Sequence, residues 1–179
     1  TDSVDASSMT GALSVSYADD DDLTGGDTLT AGTGTSDSLT VTMAGAAALT
    51  AAELANVTGF ETIATGSNIA ASITLADANT ASGATLTIDA TANTSNAMVI
   101  DASAETNGAI VINSGAGGDS LTMSQSSIGD VINAGAGDDG ISVAIANLNS
   151  LDVIDGGAGT DTLTLTGGGV VADTDFTGM

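Results

Sequence analysis

Three glycine-rich segments carry the most regular side-chain chemistry in the chain. They run Asn113-Ser-Gly115-Ala-Gly117-Gly-Asp119-Ser-Leu121, Asn133-Ala-Gly135-Ala-Gly137-Asp-Asp139-Gly-Ile141 and Asp155-Gly-Gly157-Ala-Gly159-Thr-Asp161-Thr-Leu163. Aligned, each reads (Asn/Asp)-small-Gly-Ala-Gly-x-Asp-x-(Leu/Ile). The glycines allow backbone conformations that turn carbonyls inward and are closed to other residues. The aspartate brings charge, and the apolar residue two positions later points into the core of the next strand. Every donor in such a loop is an oxygen, so the chemistry on offer is the binding of a cation.

Composition says where that cation has to come from. The chain has 23 acidic residues, no Lys, Arg or His, and a formal net charge of −23. Self-repulsion on this scale destabilises a compact state, so positive charge must be supplied from outside, and dissolved metal ions are the simplest source. The same absences remove most catalytic chemistry. Without His, Lys or Cys there is no ordinary base near neutrality, no Schiff-base amine and no thiolate. Zinc sites built on Cys or His are excluded, and a nucleic-acid partner is repelled. A carboxylate pair of the glycosidase type survives on paper, but only Tyr17, Phe60 and Phe176 are available as aromatic platforms. The expectation is a protein that is not an enzyme. High charge with few aromatics also describes disordered chains, whereas 42% hydrophobic residues grouped in short runs do not. Folding conditional on an ion reconciles the two.

The elements that position the loops are short strands. Apolar and β-branched runs mark Leu13 to Tyr17, Ser38 to Met43, Ser72 to Leu75, Thr85 to Ile88, Met98 to Ile100, Ala109 to Ile112, Ile141 to Ile145 and Thr162 to Thr166. One short helix fits Ala46 to Val57, with Thr50 and Glu53 spaced as a capping box. Proline is absent, which leaves every amide free for a strand ladder. An apolar-x-Ile-(Asp/Asn) pattern recurs with Ile88, Ile100, Ile112, Ile132 and Ile154 as its fixed point. These are expected to stack in parallel coils as one narrow core column, with the following Asp or Asn as a second column. The fold class is therefore all-β, an elongated parallel β-solenoid or β-roll. Residues 1–84 read as a β-rich segment with the short helix, and 85–179 as the solenoid bearing the three loops; one continuous domain fits equally. No apolar run reaches membrane-helix length, so no membrane insertion is expected.

The loops resemble the nonapeptide repeat of the RTX (repeat-in-toxin) family, G-G-x-G-x-D-x-U-x, which forms a parallel β-roll around Ca²⁺. Only the copy beginning at Gly156 matches in full; Ser114 and Ala134 replace the first glycine in the others. The resemblance implies Ca²⁺ as cofactor, with each ion held between loops of neighbouring coils. It implies as metal-site residues Asn113, Gly115, Gly117, Asp119, Asn133, Gly135, Gly137, Asp139, Asp155, Gly157, Gly159 and Asp161. Three loops on one side would then make about two complete sites. The loops recur at 20 and 22 residues rather than nine, so calcium is expected along one edge, with ordinary Asn and Ser turns at Gln125 to Gly129 and Ala146 to Ser150 on the other. Ala31 to Thr40 looks like a degenerate fourth loop and adds Asp37 to the candidates. Asp19 to Asp22 read as a solvated loop, and Asp5, Asp77 and Glu105 as surface charges.

Asp37-Ser-Leu-Thr-Val-Thr-Met with Leu49 to Val57 also resembles Asp161-Thr-Leu-Thr-Leu-Thr-Gly with Ala172 to Met179, as if an early segment began again near the chain's end. Leu54 to Ile63, with Phe60 as core anchor, resembles stretches of S-layer proteins and giant secreted β-repeat proteins. These likenesses imply a secreted, extracellular structural component of a bacterial cell surface (S-layer, filament or matrix) exported by type I secretion. Its expected state is a homo-oligomer or polymer, with a cell-surface polysaccharide as an attachment partner. The alternative is an extender or ligand-binding region of a large secreted RTX adhesin.

Overall fold

The structure is a computed structural model that describes residues 1–43, 47–66 and 68–168. The chain winds into a parallel β-solenoid of about seven turns. In chain order the strands are β1 (Ser3–Asp5), β2 (Ser14–Tyr17), β3 (Thr28–Thr30), β4 (Ser38–Val41), β5 (Ala48–Leu49), β6 (Val57–Thr58), β7 (Thr62–Thr65) and β8 (Ala71–Thr74). They continue as β9 (Thr85–Asp89), β10 (Met98–Asp101), β11 (Ala109–Asn113), β12 (Ser120–Thr122), β13 (Val131–Asn133), β14 (Gly140–Ala144), β15 (Val153–Asp155) and β16 (Thr162–Thr166).

Two long sheets run the length of the stack. One has the order β15-β13-β11-β9-β7-β4-β2 and the other β16-β14-β12-β10-β8-β5. Each coil after the first contributes one strand to each of these two sheets, which satisfies the need of parallel neighbours for a long crossover. The seven-stranded sheet passes through residues 84 and 85 without interruption, because β7 pairs with β9. A third sheet, β1-β3-β6, gives the first three coils a triangular section. Its strands are two or three residues long, and it has no counterpart in sequence periodicity.

The register explains the apolar spacing. Val15, Leu39, Ile63, Ile88, Ile112, Ile132 and Ile154 are successive partners in one sheet. Leu49, Ile73, Ile100, Leu121, Ile141 and Leu163 are successive partners in the other. The two aliphatic columns close on each other as a single core, each fully buried Ile or Leu stabilising the fold by about 1.5–3 kcal/mol relative to exposure. Ile100 therefore does not stack on Ile88. A half-coil and a full coil both return an apolar-x-Ile-Asp string here, so five sequence matches divide between two sheets. Asp89, Asn113, Asn133 and Asp155 form the expected polar column, while Asp101 sits across the core beside Thr74 and Thr122.

The helix is α1 (Ala51–Leu54), shorter than its sequence signal. Its capping box is complete: the Glu53 amide donates to Thr50 Oγ1, and the Thr50 amide donates to Glu53 Oε2 at 2.7 Å. Phe60 is buried in the core. In the last described coil Leu151, Val153 and Leu163 are exposed. The segment Ala172 to Met179 lies outside the described residues.

Candidate metal-binding edge

The three Gly-Ala-Gly loops link the seven-stranded sheet to the six-stranded one and stack on one edge. Ala116, Ala136 and Ala158 pair as parallel bridges from coil to coil. The Ala136 amide donates to the Gly115 carbonyl at 3.0 Å, and the Ala158 amide to the Gly135 carbonyl at 2.8 Å. All six glycines of the motif have positive φ. At Gly135 and Gly157 the requirement is double, because a Cβ would lie 1.9 Å from the carbonyl oxygen of Gly115 or Gly135 one coil below. The spelling is thus a condition for close stacking as well as for turning.

The aspartate closing each loop points along the stack. The Met98 amide donates to Asp119 Oδ1 at 2.8 Å, the Asp119 amide to Asp139 Oδ1 at 2.7 Å, and the Asp139 amide to Asp161 Oδ1 at 3.0 Å. Each carboxylate thereby satisfies the amide at the equivalent place one coil earlier. Asp119 and Asp139 are buried, and their second oxygens, Oδ2, have no hydrogen-bond partner. Burial pushes the Asp119 carboxyl up, opposed by the Met98 amide. The neighbouring Ser114 hydroxyl donates to the Ala134 carbonyl and gives the orphaned oxygen no proton. Burial also raises Asp139, opposed by the Asp119 amide and reinforced by the charges of Asp119, Asp161 and Asp138. Asp161, on the outermost rung, is exposed.

The column behind the loops is engaged differently. Asn133 Nδ2 donates to Asn113 Oδ1 at 2.8 Å, and Asp155 Oδ1 accepts the Gly157 amide at 2.9 Å. One coil below the first loop the edge becomes neutral. There Asn68 Oδ1 accepts the amides of Thr94 and Ser95, and Asn96 Nδ2 donates to the Asn68 carbonyl. The acidic ladder therefore spans only the last three coils.

Calcium fits this edge by donor chemistry. The donors are hard oxygens, and two buried carboxylate oxygens lack a partner in a chain with no cationic side chain. No group of three or more His, Cys, Asp or Glu converges among the described residues, so any ion here draws on backbone and amide oxygens as well as carboxylates.

Asp37 lies elsewhere. Its loop joins β3 to β4, between the third sheet and the seven-stranded sheet, on a different edge from the three loops. It is fully buried; Oδ1 accepts the Leu13 amide at 2.7 Å and Oδ2 the Gly32 amide at 3.1 Å, while its own amide donates to Glu61 Oε2. The same edge carries more carboxylates further up. The Ile110 amide donates to Asp130 Oδ1 at 2.8 Å, and the Asp130 amide to Asp152 Oδ1 at 2.9 Å. Ser124 Oγ and the Asn149 amide take the second oxygens. The Asn and Ser turns expected there are present, with Ser126 Oγ accepting the Ile128 amide and Asn149 Oδ1 the Leu151 amide, and this second ladder follows directly on them. The available signal was positional: Asp130 and Asp152 directly precede their strands, as Asp119 and Asp139 do. Asp21 and Asp22 are exposed, as a solvated loop requires, but Glu105 is completely buried rather than a surface charge.

An apolar cavity of about 290 Å³ lies where the third sheet ends, lined by Thr33, Phe60, Glu61, Asn79 and Thr80 among others. No helix among the described residues is long and apolar enough to cross a membrane. Comparison with protein-family models, curated proteins and solved structures finds no match.

Proposed function

We propose that the chain is a calcium-locked structural unit of an extracellular bacterial surface assembly, without catalytic activity, built to stack with copies of itself. The observation that carries this reading is the pair of buried, partnerless Oδ2 atoms of Asp119 and Asp139 in a chain of net charge −23. Inside the cell, where free calcium is low, the ladder repels itself; outside, the ion supplies the missing charge. Stability then follows ion concentration by mass action, rising by about 4 kcal/mol per site at a thousandfold excess over Kd. Asp119, Asp139 and Asp161 would hold the ions, and the Gly-Ala-Gly turns would keep neighbouring coils close enough to share them. The resemblance of the loops to RTX repeats supports the choice of calcium.

The test is a titration from chelator to about 10 mM calcium, with magnesium as control, followed by circular dichroism and electron microscopy. Calcium-specific gain of β-structure together with ordered assemblies is expected. Folding without assembly would transfer support to an adhesin spacer, and an unchanged spectrum would remove the calcium reading.

A further inference from the structure

Glu105 follows β10 in a tight turn and is completely buried. Its Oε1 accepts the amides of Asn107 and Gly108, each at 2.8 Å, which fixes the carboxylate. Its Oε2 is buried without a partner, and so are Asn107 Oδ1 in the same turn and Thr80 Oγ1. Thr80 packs on that turn from the preceding coil: a Cβ on Gly108 would lie 2.2 Å from Thr80 Cγ2. Asp77 holds the turn from the other side, accepting the amide and hydroxyl of Thr106 at 2.9 and 2.8 Å.

One corner thus contains three orphaned oxygens: a carboxylate, an amide carbonyl and a hydroxyl. As placed, the carboxylate and amide oxygens both accept and the Thr80 hydroxyl reaches neither, so the corner's own hydrogen bonds leave all three unpaired. A trapped water would satisfy their lone pairs but leave the charge of Glu105 uncompensated in the interior, which is the more costly defect. We infer that the Thr80–Glu105–Asn107 corner is a binding site for a hard divalent cation, calcium in an extracellular setting, separate from the Gly-Ala-Gly edge. The donor set is neutral-rich, with a second carboxylate, Asp77, close by. Such a set suits an ion that mixes carboxylate, amide and hydroxyl oxygens in a flexible shell. The ion would tie the turn after β10 to the segment before β9 and so pin the third side of the solenoid where the third sheet has ended. In borrowing calcium as its ion the inference rests on the reading above, but its residues are different.

The decisive experiment is an anomalous-scattering map from crystals of the intact protein grown with calcium, compared with chelator-treated crystals. A calcium peak within about 2.6 Å of Glu105 Oε2 is expected. A water without anomalous signal, or an empty corner, would overturn the inference. Peaks at Asp119 and Asp139 but not here would sink this site alone; a peak here but not there would sink the ladder sites alone. Calorimetric titration of Glu105→Gln gives an independent reading: the stoichiometry should fall by one calcium, and an unchanged value would count against the site. Should that variant fail to fold, the wild-type map decides.

Discussion

Asp139 accepts the backbone amide of Asp119, one coil earlier, through Oδ1 at 2.7 Å, and leaves Oδ2 buried with no partner. The same side chain is thus a hydrogen-bonding spacer through one oxygen and an unpaired buried acceptor through the other. Substitutions can separate the two.

Asp139→Asn keeps a carbonyl oxygen for the Asp119 amide and removes the charge. In chelator its melting temperature should match or exceed that of the parent, and its gain on adding calcium should shrink. Asp139→Ala also strands the amide, at about 1–3 kcal/mol. At about 2–4 °C per kcal/mol for a chain of this length, thermal melts with and without calcium distinguish the two variants. Equal calcium gains in Asn and parent proteins would contradict the role given to this carboxylate.

Acid should stabilise the metal-free fold. Burial raises the carboxyls of Asp119, Asp130 and Asp139, so the folded state holds these protons more tightly than the unfolded chain, where Asp titrates near 3.9. Their stabilising contribution is complete below that value and is lost as pH rises through the folded pKa values. In chelator, the melting temperature should therefore fall as pH rises from about 3.9 through the folded pKa values of these carboxyls. Calcium competes for the same oxygens, so its apparent affinity should drop in acid. A chelated protein that gains stability on going to pH 8 would reverse the sign.

Gly135→Ala should be severe, since the new Cβ would fall 1.9 Å from the Gly115 carbonyl oxygen at a positive φ. Gly11→Ala meets nothing within 4 Å and serves as the control. Urea melts should show loss of the loop-bearing coils in the first and little change in the second; comparable behaviour would mean that the loops do not stack as closely as described.

Ile112→Ala and Ile100→Ala each remove a side chain from a different column of the same core. Each should cost about 2–5 kcal/mol. Chemical denaturation of the two single variants and the double variant measures how far the columns depend on one another.

Much of this architecture was legible in advance. Strands announced by β-branched runs appear within a residue or two of their expected ends, and Thr50 with Glu53 marked the start of α1. The division of the Ile repeat between two sheets was not legible, because Ile88, Ile100 and Ile112 share one local pattern, apolar-x-Ile-(Asp/Asn), and only long-range pairing separates them. The third sheet was missed for a related reason: β1, β3 and β6 are too short to show a period. Asp130 and Asp152 were not read as a ladder, and Glu105 was read as a surface charge, because a buried carboxylate needs a partner before it is credible, and their partners are largely main-chain amides, which leave no trace in side-chain spelling. The glycine loops were legible since their conformation excludes nearly every other residue.

Every rung of the ladder points the same way: the carboxylate of a later coil completes an amide of an earlier one. Within that ladder, no rung is finished by its own coil. A chain emerging N-terminus first would hold each coil provisional until its successor wound on, so the order of closure is set by the direction of the chain.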